Sequence, residues 1–115
     1  MKVSEDNYYV YLVTNKTKTV IYTGLTNNLP QRITEHYINR GKPGTFAGKY
    51  NCHLLLYYES FKYINHAIER EKEIKNWPRK KKEELIAGCN PKWEILNGEL
   101  FDKWPPEDLY HRKDL

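Results

Sequence analysis

The segment Ile64–Lys75 constrains the fold more than any other stretch of this sequence. As a helix with about 100° of rotation per residue, it places Ile64, Ala67, Ile68 and Ile74 on one apolar face. Glu71 falls in the middle of that face, whereas the other charged residues of the segment point elsewhere. A carboxylate on the buried side of a helix is costly unless a cation, a metal ion or several donors hold it. The sequence therefore predicts a special partner for Glu71.

The chain of 115 residues is expected to form one domain. Its content of 39% hydrophobic and 30% charged residues is typical of a globular protein. Cys52 and Cys89 belong to no CxxC or Cys–His motif, which disfavours a zinc site. The N-terminus is polar and no apolar run approaches the roughly 18 residues of a membrane span, so we expect a cytoplasmic protein with no membrane partner.

Positive charge is concentrated on one segment of the second half of the chain. The net charge is +4, and residues 72–82 contain six bases and a single acid. Basic surface of this kind favours phosphate backbones, although a solvated lysine face is at least as common an explanation. The extension 93–115 is acidic but rich in large apolar residues, so we expect it to pack on the rest of the domain.

The first half of the chain predicts a β-hairpin followed by a helix. Residues 8–14 and 20–23 are typical of strands, and a four-residue turn between them would place Tyr11 opposite Tyr22. The helix is expected from residue 29 or 30 to residue 40, with Arg32 and His36 side by side along one edge. Taken alone, Tyr11 and Tyr22 are explained as an ordinary aromatic cross-strand pair. Arg32 and His36, taken alone, are explained as a chance arrangement on the surface.

The second half predicts a loop, a strand and two helices. Residues 41–48 contain three glycines and a proline, as flexible tips and substrate flaps do. The continuous apolar run 52–59 predicts a strand covered on both faces, at the centre of the sheet. The helix that carries Glu71 is broken at Trp77-Pro78, and a short helix follows as far as Gly88.

These features together resemble the GIY-YIG nuclease superfamily over residues 8–92. The signature elements appear as Tyr9-Val10-Tyr11 and Tyr22-Thr23-Gly24, and Arg32 follows Tyr22 by 10 positions, with His36 one turn later. Glu71 in IEREKEIK and Asn90 in CNPKW match the family's metal-binding glutamate and its late asparagine. Residues 57–77 are particularly similar to the small single-domain bacterial branch related to the excision-repair incision subunit.

The resemblance implies an α+β fold with a three-stranded antiparallel sheet flanked by helices, in a single domain over residues 1–115 with its core at 8–92. It implies a metal-dependent endonuclease that hydrolyses DNA phosphodiester bonds, on damaged or branched DNA in repair. The implied catalytic residues are Tyr11, Tyr22, Arg32, His36, Glu71 and Asn90.

The resemblance also implies a role for each of these residues. Glu71 would hold one Mg²⁺ or Mn²⁺ ion. Tyr11 would take the proton of the attacking water as a phenolate, and Arg32 would grip the phosphate. Tyr22 would position water or phosphate, His36 would assist the proton transfer or bind phosphate, and Asn90 would orient the site. Some members carry a lysine after the second element, where this chain has Gly24-Leu25-Thr26, so the cation that acidifies Tyr11 is not evident.

The expected partner is DNA, bound weakly, in a salt-sensitive way and by its structure rather than its sequence. Its phosphates would be contacted by the basic residues Lys42, Lys49, Lys72, Lys75, Arg79, Lys80, Lys81 and Lys82. One alternative is a catalytically silent nucleic-acid-binding module, in which Glu71 merely pairs with Arg32 or Lys75. Another is a protein-interaction domain that meets its partner through the aromatic C-terminal extension.

Overall fold

A three-stranded antiparallel sheet flanked by helices organises the computed structural model, which describes residues 7–101, 104 and 105, and the predicted α+β class is confirmed. The strands are β1 (Tyr8–Thr14), β2 (Ile21–Thr26) and β3 (Leu54–Phe61). The helices are α1 (Leu29–Ile38), α2 (Phe46–Lys49), α3 (Ile64–Lys75) and α4 (Arg79–Cys89), followed by a 3₁₀ turn at Asn97–Glu99. Within the described ranges, every helix is too short or too polar to cross a membrane.

The central strand is β1, and the prediction that the apolar run after residue 52 forms the centre of the sheet is wrong. The strand order is β2-β1-β3, so β3 is an edge strand. Its run is apolar because both of its faces are covered: Leu55 belongs to the core on one face and Leu56 to the core on the other. Coverage of both faces therefore did not require a central position.

The outer edge of β3 is occupied by the segment 90–101, which we call the C-terminal segment. Asn97 Oδ1 accepts a hydrogen bond from the Leu55 amide at 2.7 Å, and the Leu96 amide donates to the Leu55 carbonyl at 2.8 Å. Leu96, Leu100, Phe101 and Trp104 pack against one core cluster. Part of the predicted extension thus contacts the domain, and residues 102, 103 and 106–115 lie outside the described ranges.

The register of the hairpin differs from the prediction. Tyr11 pairs with Gly24 rather than with Tyr22, because β2 begins at Ile21 and the connecting loop has six residues, 15–20. Within this loop, Asn15 Oδ1 accepts hydrogen bonds from the amides of residues 19 and 20 at 2.9 and 3.2 Å. The partner of Tyr11 changes by two positions, an even number, so Tyr11 and Tyr22 still point to the same face of the sheet.

The two faces of the sheet are covered by different helices. Alternate residues of β1, such as Tyr11 and Val13, pack with residues of α1 and α2. The intervening residues Val10 and Leu12 pack with residues of α3 and α4. The central strand is therefore buried on both sides. Tyr11 lies on the face that α1 and α2 cover, and α3 and α4 cover the opposite face.

The face of α3 that contacts the sheet is displaced from the predicted one. Ala67 and Ile74 are fully buried, whereas Ile64 and Ile68 are 43% and 37% exposed. The side chains of Arg70 and Glu71, which complete the pattern i, i+3, i+4, i+7, are half-buried on the sheet side. Arg70 was expected to point to solvent, but it donates to the Glu59 carboxylate at 3.0 Å, and this partner offsets its burial. Glu71 lies on the inner side of the helix, as its place in the sequence indicated.

Candidate active site

The ring of Tyr11 lies directly across Gly24. A Cβ atom added to Gly24 would lie 2.3 Å from Cζ and from the hydroxyl oxygen of Tyr11, far inside van der Waals contact. The two residues are also partners in the register of the hairpin. Gly24 therefore gives the buried phenol its position, which is the physical reason for a glycine at this point of the second signature element.

Helix α1 brings Arg32 and His36 to the hydroxyl of Tyr11. Its start is fixed by Asn28, whose side chain accepts from the Gln31 amide at 3.2 Å. The apolar face of this helix is buried and consists of Leu29, Ile33 and Tyr37. One edge of that face carries His36, whose Nε2 lies 2.7 Å from the Tyr11 hydroxyl, and Arg32, whose Nε donates to the same oxygen at 3.3 Å.

Burial sets the protonation states of this hydrogen-bonded group. It raises the pKa of the Tyr11 phenol above its ordinary range, although the hydrogen bond and charge of Arg32 act in the opposite direction. Burial, followed by the positive charge of Arg32, lowers the pKa of His36 to about 4. At neutral pH, Tyr11 is thus a neutral phenol that accepts from Arg32 and shares a hydrogen bond with a neutral His36, to which it donates when the His36 proton is on Nδ1. Arg32 is therefore the cation beside Tyr11 that was not evident from the sequence. Its effect on the pKa of Tyr11 is smaller than that of burial, so the phenol stays protonated.

Tyr22 joins this cluster through ring contacts. Its ring centroid lies 5.6 Å from that of His36 in an edge-to-face arrangement. Arg32 extends toward solvent on the other side, where Nη1 is 3.0 Å from the Glu35 carboxylate. Both members of that ion pair are more than a third exposed, so the pair is weak and leaves the guanidinium available to a stronger anion.

Glu71 is connected to this cluster through Lys75, at the β2 edge of the sheet. Its Oε2 atom lies 3.3 Å from the Lys75 ammonium, and that ammonium lies 6.0 Å from the ring centroid of Tyr22. Tyr22 is on an edge strand, so a long side chain of α3 can extend past it. Of the two pairings considered for Glu71, the structure shows the one with Lys75, whereas Arg32 pairs with Glu35. Lys75 is 47% exposed, and such pairs contribute only about 0–1 kcal/mol.

Asn90 is not brought to this cluster. Its amide donates to the carbonyls of Leu56 and Glu94 at 3.0 and 2.8 Å, and its oxygen accepts from the Glu94 amide at 2.9 Å. These contacts lie along β3, at the opposite edge of the sheet from Tyr22. The side chain holds the C-terminal segment in place, and a catalytic role for it stays a prediction.

The predicted basic residues are distributed between surface and structural positions. Burial lowers the pKa of Lys82, and the positive charges of Arg79 and Lys75 lower it further. Arg79 donates to the carbonyl of Lys18 at 3.0 Å and to that of the next residue, and so ties α4 to the hairpin loop. The exposed members of the predicted set are Lys42, Lys49, Lys72, Lys75, Arg79, Lys80 and Lys81.

Sequence reasoning missed Phe46 as a neighbour of the site. The predicted flexible loop in fact contains helix α2, which begins after Thr45. The side chain of Thr45 accepts from the Gly48 amide at 3.0 Å, and the one signal in the sequence for this helix is that threonine is a preferred N-cap residue. The ring of Phe46, the first residue of the helix, lies 6.2 Å from that of Tyr22 at an interplanar angle of 26°.

The single carboxylate of Glu71 fits a metal ion whose other ligands are water and the phosphate of a substrate. Among the residues that the structure describes, no three His, Cys, Asp or Glu side chains form a cluster able to enclose a metal. Mg²⁺ commonly keeps several waters and is bound by one or two carboxylates together with substrate phosphates. A single partly exposed carboxylate suits this mode of binding and does not suit a closed site such as that of structural zinc.

Comparisons with known proteins connect this geometry to one family. The sequence profile of the GIY-YIG catalytic domain matches residues 7–84. A UPF0213 protein of Pediococcus acidilactici is 38% identical over 79 residues, which are 69% of this chain and 80% of that protein. One of Clostridium perfringens is 35% identical over 92 residues, 80% of this chain and 96% of that protein. The solution NMR structure of a UPF0213 protein of Bacillus halodurans is similar at 30% identity, covers 76% of this chain and 89% of that one, and gives a TM-score of 0.48.

Proposed function

Because the chain belongs to the GIY-YIG family, we propose that it is a metal-dependent endonuclease that hydrolyses phosphodiester bonds in DNA. The observation that carries this proposal is the hydrogen-bonded series from Arg32 through Tyr11 to His36. It combines a cation for a phosphate, a hydroxyl for the attacking water and an acceptor for the proton. The proposed setting is the repair of damaged or branched DNA in the cytoplasm, by a single domain over residues 1–115.

Proton transfer in this mechanism is a relay. The attacking water gives its proton to the Tyr11 oxygen while the Tyr11 proton passes to Nε2 of His36, 2.7 Å away. Because Tyr11 is fully buried, this step requires the side chains that cover its hydroxyl to open when the substrate binds. Because the phenol accepts one proton as it loses another, no free phenolate has to form at neutral pH. His36 is suited to this role because burial keeps it unprotonated.

Arg32 binds the phosphate in this mechanism. Nε of Arg32 is occupied by Tyr11 and one Nη1 proton by Glu35, which leaves N–H groups for the oxygens of a phosphate. A divalent ion on Glu71, when bound, supplies additional positive charge to the phosphate. Lys75 beside Glu71 and Lys49 in α2 extend the positive surface along the DNA backbone.

Replacing Arg32 by Lys tests this proposal. The charge remains but the planar fork and the donor to Tyr11 are lost, so we expect metal-dependent cleavage of branched DNA to slow by roughly 10-fold or more. Arg40→Lys is the matched control, since Arg40 lies two residues after the end of α1 and its guanidinium stacks on Tyr37 instead of contacting Tyr11. Cleavage is followed in Mg²⁺ or Mn²⁺ and again with a chelator. Equal metal-dependent rates for both variants would contradict the assignment of Arg32.

The pH dependence tests the relay. His36 must be neutral to accept a proton, and its folded pKa is about 4, so this group should limit the rate only below about pH 5. The unfolded chain binds this proton near pH 6.5, so folding stability should also fall as the pH is lowered from about 6.5 to 4. Single-turnover rates, with circular dichroism at each pH and NMR titration of the imidazole, measure both effects. A His36 pKa near 6.5 would contradict the buried, neutral acceptor.

A catalytically silent nucleic-acid-binding module is the second candidate, and the Glu71–Lys75 ion pair favours it. This alternative predicts salt-dependent DNA binding, weakened by charge reversal across residues 79–82, with no metal-dependent product. A protein partner at the aromatic C-terminal extension remains a further proposal, although Phe101 and Trp104 pack partly against the core. Sedimentation with and without DNA separates it from the two nucleic-acid functions.

A further inference from the structure

An exposed aromatic surface lies beside the candidate site. It consists of Tyr22, Phe46 and Tyr50, which we call the aromatic platform. Phe46 stacks on Tyr22 at 6.2 Å between ring centroids and contacts the ring of Tyr50 at 4.7 Å. Phe46 is 52% exposed and Tyr50 is 38% exposed. Tyr22 in turn touches His36, so the platform begins where the proposed chemistry takes place.

The platform is held on a fixed backbone. The Gly41 amide donates to the Gly48 carbonyl at 2.7 Å, which fastens α2 to the beginning of the preceding loop. A Cβ added to Gly48 would lie 2.6 Å from the carbonyl oxygen of Lys42, so the helix presses directly on that loop. The exposure of Phe46 is therefore a property of a packed element, and the ring is presented to solvent in a defined orientation.

Positive charges stand at both ends of the platform. The ammonium of Lys49 lies 5.3 Å from the ring centroid of Tyr50, and that of Lys75 lies 6.0 Å from that of Tyr22. Aromatic faces flanked by cations are the surface on which single-stranded nucleic acid binds, because each base stacks on a ring while the phosphates meet the charges. A base inside an intact duplex has both faces covered by its neighbours and offers none to such a surface.

We propose that the aromatic platform stacks an unpaired base of the DNA next to the phosphate that is cut. The substrate class that follows is DNA with unpaired nucleotides at the cleavage position, such as a flap, a fork or a gap. The position of the base relative to the cut rests on the proposed endonuclease function. The stacking itself does not, and it is measured without cleavage.

The experiment measures binding in a chelator to a short single strand containing 2-aminopurine and to a blunt duplex of the same length. The parent should bind the single strand more tightly and change the fluorescence of the base. Phe46→Ala should weaken single-strand binding about 10-fold and duplex binding by less than about twofold. Tyr63→Ala is the matched control, because Tyr63 is 55% exposed at the N-cap of α3, outside the aromatic platform. Phe46→Trp should retain the preference, which separates loss of stacking from damage to the fold.

The proposal is overturned if the parent does not prefer the single strand. It is also overturned if Phe46→Ala weakens both ligands alike or neither, or if Tyr63→Ala has the same effect. If the protein prefers single strands through Phe46 but yields no metal-dependent product on any branched DNA, the aromatic platform is supported and the endonuclease function is overturned. If metal-dependent cleavage occurs but neither cleavage nor single-strand binding changes in Phe46→Ala, the endonuclease is supported and the aromatic platform is overturned.

Discussion

Glu71→Gln should abolish metal-dependent cleavage, with a loss of about 10³-fold or more in single-turnover rate. The change preserves the size of the side chain and removes the charge that would hold the divalent ion, and an ion on the phosphate contributes several kcal/mol to catalysis. The fold should survive, because the Glu71–Lys75 ion pair is partly exposed and of little energetic value. Glu69→Gln on the same helix is the matched control, since Glu69 is exposed.

A second readout separates metal binding from activity. Mn²⁺ added in the presence of a non-hydrolysable DNA analogue should broaden the NMR signals of residues near Glu71 in the parent and not in Glu71→Gln. Weak or absent binding in the protein alone is expected, because one carboxylate leaves most of the coordination to water and phosphate. If Glu71→Gln cleaves DNA as fast as Glu69→Gln in a pure preparation, the metal is held elsewhere and the site is misassigned.

Gly24→Ala should cost about 10²-fold in cleavage rate. The added methyl group would occupy the space of the Tyr11 ring, at 2.3 Å from its hydroxyl oxygen, so the ring must move away from His36 and Arg32. Displacements of about 1 Å in reacting groups have consequences of this size. Overpacking should also lower the free energy of unfolding by about 1–3 kcal/mol. Rates and thermal melts are compared with those of the parent.

Gly88→Ala is the matched control for this change. No atom lies within 4 Å of a Cβ built at Gly88, which is an exposed position inside α4. The same substitution there should leave cleavage unchanged and stabilise the helix by about 0.5–1 kcal/mol. In a Tyr11→Phe background, Gly24→Ala should cause little further loss of rate, since both changes act on one hydroxyl. Additive losses would show that Gly24 acts on something other than Tyr11.

The sequence predicted the features that depend on local patterns. Helix α1 follows from the cap residue Asn28 and its buried face, and the shared side of Tyr11 and Tyr22 follows from the period of two in strands. That Arg32 and Tyr11 belong to one site was predicted from the resemblance to the family, because the periodicity of a strand or helix does not indicate contacts between separate elements. Each of these is a property of a short segment or of a family pattern.

The features that were missed depend on contacts between distant or irregular segments. The edge position of β3 could not be predicted, because the groups that cover its edge come from Asn90 and Asn97, far along the chain. The register of the hairpin depends on the side chain of Asn15, which substitutes for backbone partners in the loop. The neutral states of Tyr11 and His36 depend on burial, which a residue pattern does not reveal.

The way the C-terminal segment lies along β3 has a consequence for the boundaries of the folded unit. Leu55 exchanges hydrogen bonds with Leu96 and Asn97, as a strand would with a neighbouring strand. A truncation after α4 removes both partners and leaves the amide and carbonyl of Leu55 exposed at a bare sheet margin, the kind of template on which a second molecule adds its own strand and aggregation begins. Although the proposed catalytic groups other than Asn90 lie before residue 72, we expect that a truncated protein must extend through Asn97 to keep this edge covered.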